Sequence, residues 1–292
     1  MKCDLHVHTH HSGMCTVPVL KRICRESYND PHEVYETLKR RGMDLVTVTD
    51  HDSIDAVEPL RHHDDFFLSE EVSCDTENGT HLHMGVYGID DRDHIDLQLR
   101  RDDLPRLIAY LNEKRLLFSI NHVFSSLTGR RTEADFENFA RKFPAVETLN
   151  GQMLEVANRH AAAFAERHGR IALGGSDAHT LTSLGRTYTS VAGARTPAEF
   201  MEGLKQGRSV VAGESGDVLR LTHAVCSIGA SLVREKPWAA ILLPLMAFVP
   251  VITIVNFMLE LAFAAQWGNR VASAVKTSDV KTPVSAEALL LQ

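Results

Sequence analysis

The sequence predicts an α/β protein, a (β/α) barrel followed by a helical, hydrophobic extension. Three observations lead there. Short apolar, strand-like runs alternate with helical patterns, the rhythm of a parallel sheet with crossover helices. Side chains suited to holding metal ions stand where those strands end, the edge at which α/β folds collect ligands. A barrel gathers such ends into one ring, whereas an open sheet would scatter most of them.

The strand-like runs are 2–7, 45–49, 66–72, 82–87, 116–121, 146–149, 171–173 and 209–212. Asp30-Pro31 offers an N-cap with Pro at the first helical position, and Gly42 offers the stop. Residues 104–114 and 132–142 have helical spacing, and Asn150 can cap a helix over 151–168 that Gly169 ends. Thr196-Pro197-Ala198-Glu199 reads as a capping box opening a helix to about residue 206.

From about Asp217 the character changes: 219–233 has the pattern of an amphipathic helix, and 238–259 contains no charged residue. As a helix the latter run would extend roughly 33 Å, enough for a hydrocarbon layer of about 30 Å. Arg234, Lys236, Trp238 and Trp267 near its ends suit a membrane interface, while Pro244 and Pro250 would kink it or turn it back. Two readings follow: contact with a membrane, or an apolar helical hairpin packed on the barrel or on a second copy of the chain. The expected division is a catalytic barrel over 1–215, a hydrophobic helical segment over 216–270 and a weakly ordered tail over 271–292.

The 292 residues carry a net charge of −7, which argues against a stable nucleic-acid coat. An acidic protein still binds phosphate esters where metal ions supply the positive charge. Five cysteines, an odd number without a CxxC pair, fit a reducing compartment. No signal-like apolar region precedes residue 4, so a cytoplasmic location is expected.

His6 and His8 alternate with Leu5 and Val7, so both imidazoles lie on one side of a strand end, with Asp4 at hand to orient one of them. His51 stands between Asp50 and Asp52, carboxylates that could fix its tautomer. Glu71 can bridge two ions with its two oxygens; it is preferred to Glu70 because it shares a face with Phe67, Ser69 and Ser73. His83 is preferred to His81, although the two share a face. His122 follows a strand end, and Asp177 and His179 repeat the spacing of two behind Gly174-Gly175, which permits close backbone approach. Each position alone is weak; the series points to a multi-metal centre. Arg130, Arg131 and Arg186 are candidate phosphate clamps, since guanidinium grips phosphate oxygens in pairs. No Walker loop or GxSxG elbow competes.

In order, DLHVHTHHS, VTVTDHDS, SEEVS, HLHMGVYGID, NHV and GGSDAH resemble the motifs of the PHP (polymerase and histidinol phosphatase) superfamily of metal-dependent phosphoesterases, over residues 1 to about 215. The later stretch, from VETLNGQ to LGRTYT, is similar to small standalone members. The resemblance implies a distorted (β/α)7 TIM-like barrel with two or three divalent ions (Zn, Mn, Fe or Mg). It implies His6, His8, Glu71 and Asp177 at a first ion, Glu71, His83 and His122 at a second, and His51 and His179 at a third. Where the family has an Asp or His after the HxH pair, this chain reads His11-Ser12-Gly13-Met14, so either His10 or His11 substitutes or the third ion is weak or absent. Asn121-His122-Val123 replaces the usual Ala-His-Pro and keeps the ligand.

The expected activity is hydrolysis of a small phosphomonoester or short nucleotide, with His51 or His179 protonating the leaving alkoxide. The expected setting is cytoplasmic, attached to the inner face of a membrane or assembled as a homo-oligomer. Two rivals are a hydrolase of a non-phosphate bond and a membrane-tethered binding or regulatory module whose metal site is incomplete.

Overall fold

The computed structural model describes residues 1–279, with side chains through Ala272. In chain order its elements are β1 (Lys2–Cys3), α1 (Pro31–Arg40), β2 (Ser69–Asp75), β3 (His81–Tyr87), α2 (Asp91–Gln98), α3 (Leu104–Glu113), β4 (Leu117–Ile120) and α4 (Glu133–Lys142). There follow β5 (Ala145–Asn150), α5 (Glu155–Arg167), β6 (Ile171–Gly175), β7 (Thr187–Val191), α6 (Pro197–Lys205), β8 (Ser209–Gly213), α7 (Val218–Glu235), a 3-10 helix (Pro237–Phe248) and α8 (Val249–Asp279).

Local chemistry sets the helix starts. Asp30 accepts from His32 and Glu33 N–H groups ahead of Pro31, Thr132 and Asp135 form a reciprocal capping box, and Thr196 accepts from Glu199 N–H. Asn150 does not cap α5. That helix starts at Glu155 without a side-chain cap, and the Asn150 amide serves the site instead.

The strands form a five-stranded sheet, β2-β3-β4-β5-β6, and a three-stranded sheet, β1-β7-β8. No closed, all-parallel barrel is seen among the described residues. β2, β3 and β4 pair antiparallel, and only β4-β5-β6 is parallel. The reason lies at 76–80: Thr76 N–H donates to the Thr80 carbonyl at 2.8 Å, and Gly79 takes φ +73° behind Asn78. That tight turn folds β3 straight back on β2, leaving no room for a crossover helix. The expected strand over 45–49 makes only isolated parallel bridges, Val46 to Phe66 and, just beyond it, His51 to Glu71. Another bridge joins Val7 to Ala178. The two edges of the larger sheet are therefore flanked by extended chain that carries His6, His8 and His51.

The main core lies between the larger sheet and α3, α4 and α5, centred on Phe118, Phe136, Phe139 and Phe164. Part of the C-terminal segment joins it. Val249, Thr253, Glu260, Ala264 and Trp267 are buried along one stripe of α8, and Trp267 stacks 5.4 Å from Phe136. Gly268 lies so close to His160 that a Cβ there would sit 2.2 Å from the ring. The opposite side exposes Ile241 and Leu245 of the 3-10 helix and Val251, Ile252, Val255 and Met258 of α8. One stripe thus packs on the domain, as the packing reading expects, and the other face is apolar and open. The run Pro237–Ala272 is long and apolar enough to cross a membrane by length and composition. The tail assigned to 271–292 continues α8 to Asp279, and 280–292 lies outside the described residues.

Candidate metal centre

The eight side chains singled out by the sequence come together in one buried cluster. His6 and His8 leave the strand-like segment after β1 on one side, with their Nε2 atoms 3.0 Å apart. Glu71, in the middle of β2, points at them: its Oε2 lies 3.2 Å from His6 Nε2, 3.4 Å from His8 Nε2 and 3.3 Å from His51 Nδ1. Its Oε1 faces the other way, 3.4 Å from His122 Nε2 and 3.7 Å from His83 Nδ1. Asp177 Oδ1 lies 3.3 Å from His8 and 3.5 Å from His6. His83 sits near the start of β3, not at a strand end; because β3 runs antiparallel, its start and the ends of its neighbours share one edge.

The alternatives resolve by face. Glu70 turns the other way to His94, at 2.7 Å, and His81 is exposed against Asp75.

Four overlapping groups of ligand atoms fall within 4.8 Å of one another: His6/His8/Asp177, His6/Glu71/His122, His51/Glu71/His83 and His8/His51/His179. The donor chemistry fits divalent cations. His51 Nδ1, His83 Nδ1 and His122 Nδ1 are buried without a hydrogen-bond partner, a costly state unless something else satisfies them. In the other three imidazoles Nδ1 is already tied. His6 Nδ1 meets Glu147 at 2.7 Å, His8 Nδ1 meets Ser12 Oγ at 2.9 Å, and His179 Nδ1 meets the Asp177 carbonyl at 3.0 Å. Pinning Nδ1–H in this way leaves the Nε2 lone pair free for a metal.

Charge tells the same story. Burial alone would raise the Glu71 and Asp177 carboxyls, yet the imidazoles around them, His6 foremost, hold both well below the ordinary range.

The backbone is strained at the same place. His122 and Asp177 take φ of +31° and +51°, and Asp52, beside His51, takes +52°. Such conformations in residues other than glycine persist where surrounding structure enforces them, and they gather at functional sites. Gly175 lets β6 approach, since a Cβ there would meet His6 N at 2.3 Å.

Sequence reasoning missed several participants. Glu26, in an irregular stretch, reaches within 3.5 Å of His51 Nε2 and 3.6 Å of His179 Nε2. Its burial opposes ionisation, but the His179 contact and the neighbouring imidazoles hold its carboxyl at about 2. Burial likewise opposes charge on His179, and Glu26 and Asp177 outweigh it, raising that imidazole to about 9. Glu26 therefore stands where the sequence left a missing ligand, and neither His10 nor His11 fills the place: His10 contacts the Asn29 carbonyl, and the two rings pack together. Glu147 was also missed; it orients His6 and accepts from the His122 N–H at 3.0 Å. No motif marks Glu26, whereas Glu147, inside the apolar run 145–150, was a readable anomaly.

Other expectations need correction. Asp4 does not orient an imidazole; its carboxylate accepts from Ser176 N–H and Oγ and Gly185 N–H, tying the loop after β6. Asp50 is used by Thr9 and Ser12, and Asp52 by Ser73 and Arg101, so neither sets the His51 tautomer. Arg131 is buried and spent on the His81 and Thr128 carbonyls, and Arg186 bonds the Thr182 carbonyl and Glu214. Arg130 is exposed on the same loop as Arg131. Of the three expected phosphate clamps, Arg131 and Arg186 are thus engaged elsewhere, and none lines the clefts beside His179.

Residues 155–209 match the model of the family described as PHP-associated, a stretch from the start of α5 to the start of β8 that includes Asp177 and His179. An uncharacterized protein of Methanocaldococcus jannaschii, MJ1587, is 37% identical over 54 residues, which cover 18% of this chain and only 30% of that protein. Among solved structures, PsfC from Pseudomonas syringae superposes with a TM-score of 0.54 at 17% identity, covering 80% of this chain and 98% of that one, a likeness of fold. The lesion-specific endonuclease PfuEndoQ from Pyrococcus furiosus is more distant, with a TM-score of 0.47 at 18% identity over 72% of this chain and 57% of that one.

Proposed function

We propose, on the ordered motifs and the matched PHP-associated segment, that the chain is a PHP-superfamily protein and a metal-dependent hydrolase of phosphate esters. The observation that carries the proposal is the Glu71 carboxylate set between two groups of imidazoles, one oxygen toward His6 and His8 and the other toward His83 and His122. His6, His8 and Asp177, with Glu71, would hold one ion; Glu71, His83 and His122 a second; His51, His179 and Glu26 a third. Bound there, divalent ions supply Lewis-acid neutralisation of phosphoryl charge and a water nucleophile competent at neutral pH.

The chain's own residues do the positioning. Glu147, Ser12 and the Asp177 carbonyl fix three imidazole orientations, and Asn121 and Asn150 hold Glu71 and Asp177 through amide N–H bonds of 2.8 and 3.1 Å. Where the third position is unfilled, His179, at the cleft wall and near Glu26, is the proton donor to the leaving oxygen that the geometry favours, and where an ion is held there its Nε2 would be a ligand instead; His51 lies deeper, against Glu71. A tethered module with an incomplete site has less support, because Glu26 supplies the acid its argument needed absent. A cytoplasmic setting, with membrane contact through the open face of 238–259, belongs to this proposal; Arg234 and Lys236 stand just before that face.

The test is a panel of phosphomonoesters and short nucleotides, run on metal-stripped and metal-reconstituted protein. Turnover that returns with Mn or Zn supports the proposal. Turnover of an amide or lactone panel instead, with no phosphate release, would replace it with the non-phosphate reading.

A further inference from the structure

Two clefts flank His179. One has a lining that includes Thr180, Ser227, Ser231 and Arg234. The other reaches Asp177 as well as His179 and has a different lining. Leu221, Val225 and Ile228 lie at i, i+4 and i+7 on α7 and present one apolar face to it. Phe257 of α8 and Met153 add to that wall, and no Lys or Arg is among its lining residues. The Leu221, Val225, Ile228 and Phe257 side chains are only half-buried, so this wall is apolar surface left open beside the cluster.

A nucleotide's further phosphates or a polyanionic strand would find no cation there, and the carboxylates of Asp217 and Glu260 would oppose them. An alkyl chain would find a matching surface. α8 also carries the open apolar face on its outer side, so a chain leaving the cleft meets hydrophobic surface rather than only water.

We propose that the leaving group taken by this cleft is a long-chain alcohol, making the substrate an amphiphilic phosphate monoester whose head reaches Asp177 and His179 while its chain lies along α7 and α8. The inference rests on the phosphoesterase reading and narrows it. In the reaction water oxygen bonds to phosphorus, the phosphorus–oxygen ester bond breaks, a proton passes to the departing alkoxide, and alcohol and inorganic phosphate are released.

The experiment measures kcat/KM of the full, metal-loaded chain on n-alkyl phosphates from ethyl to decyl, below their micelle concentrations. The expected result is a rise of about two- to fourfold per added methylene until the cleft is filled, with the rise flattened in Val225→Asp and, independently, in Leu221→Ser. Hydrolysis of ethyl phosphate without dependence on chain length overturns this inference and leaves the phosphoesterase reading standing. A rise that survives both substitutions also overturns it, because the chain then binds elsewhere. Absence of turnover at every length overturns the phosphoesterase reading and this inference with it.

Discussion

The histidine–carboxylate cluster and the α7/α8 wall meet at one cleft but are built on opposite plans. In the cluster, polar atoms are buried almost without solvent, and most are oriented by a second polar partner: Glu147 behind His6, Ser12 and then Asp50 behind His8, Asn150 behind Asp177. Its backbone is strained at His122 and Asp177. In the wall, packing comes from one stripe of α8, and much of the remaining surface is open hydrocarbon. The comparison teaches where tolerance lies: the cluster is over-determined, so single changes should cost chemistry, whereas the wall is anchored at few points, so single changes should cost stability at an anchor or chain-length preference at the open face.

The largest expected effect is on the cluster side. Asp177→Ala should abolish metal loading at the first position and bring turnover below detection with the fold intact by circular dichroism; wild-type turnover in this variant would break the comparison. Next comes an anchor of the wall. Trp267→Ala should destabilise the protein by about 3–5 kcal/mol, the usual cost of truncating a large buried aromatic, as read by chemical denaturation. For the same reason, deletion of 237–267 should compromise folding: Ala264 and Trp267 belong to the main core, and Ser126 N–H bonds to Glu260. Recovery of a fully active, equally stable deletion would place the wall outside the domain.

Smaller effects sharpen the contrast. Glu147→Gln should weaken metal affinity or activity by about 10–100-fold, the range for partners that orient ligands, with little change in stability; metal titration separates the two. Glu26→Gln should act similarly but remove only the third ion, leaving the first two positions filled. The smallest effect is expected far from both regions. Arg115 is exposed and takes φ +54° in the turn after α3, so Arg115→Gly should raise stability by up to about 1 kcal/mol through relief of strain, with turnover unchanged.

Much of the site was legible because its chemistry is punctuated: His6/His8 and Asp177/His179 announce a shared face by their spacing, and the apolar runs before His122 and around Glu71 place the one just past a strand and the other on one. The barrel was less legible. Asn78-Gly79 is a strong hairpin signal, and reading it would have turned β2 and β3 antiparallel at once. Partners such as Glu26 and Asp4 act across long sequence separations from irregular chain, so nothing in their local pattern announces what they touch. The arginines misled for a related reason: guanidinium suits phosphate, but it also suits backbone carbonyls, and only the folded chain shows which is nearer. The stripe on α8 escaped notice because a run apolar on every side has no period to read, and its few polar residues, Thr253 and Glu260, mark the buried side rather than the open one.

The central claim, that side chains from distant stretches converge to hold neighbouring cations, is tested most directly by counting ions. Elemental analysis of the purified chain after reconstitution with Mn or Zn should give two to three ions per chain, falling to one or fewer in Glu71→Ala because that carboxylate is shared. Fewer than one ion per chain in the wild type, or an undiminished count in Glu71→Ala, would contradict it.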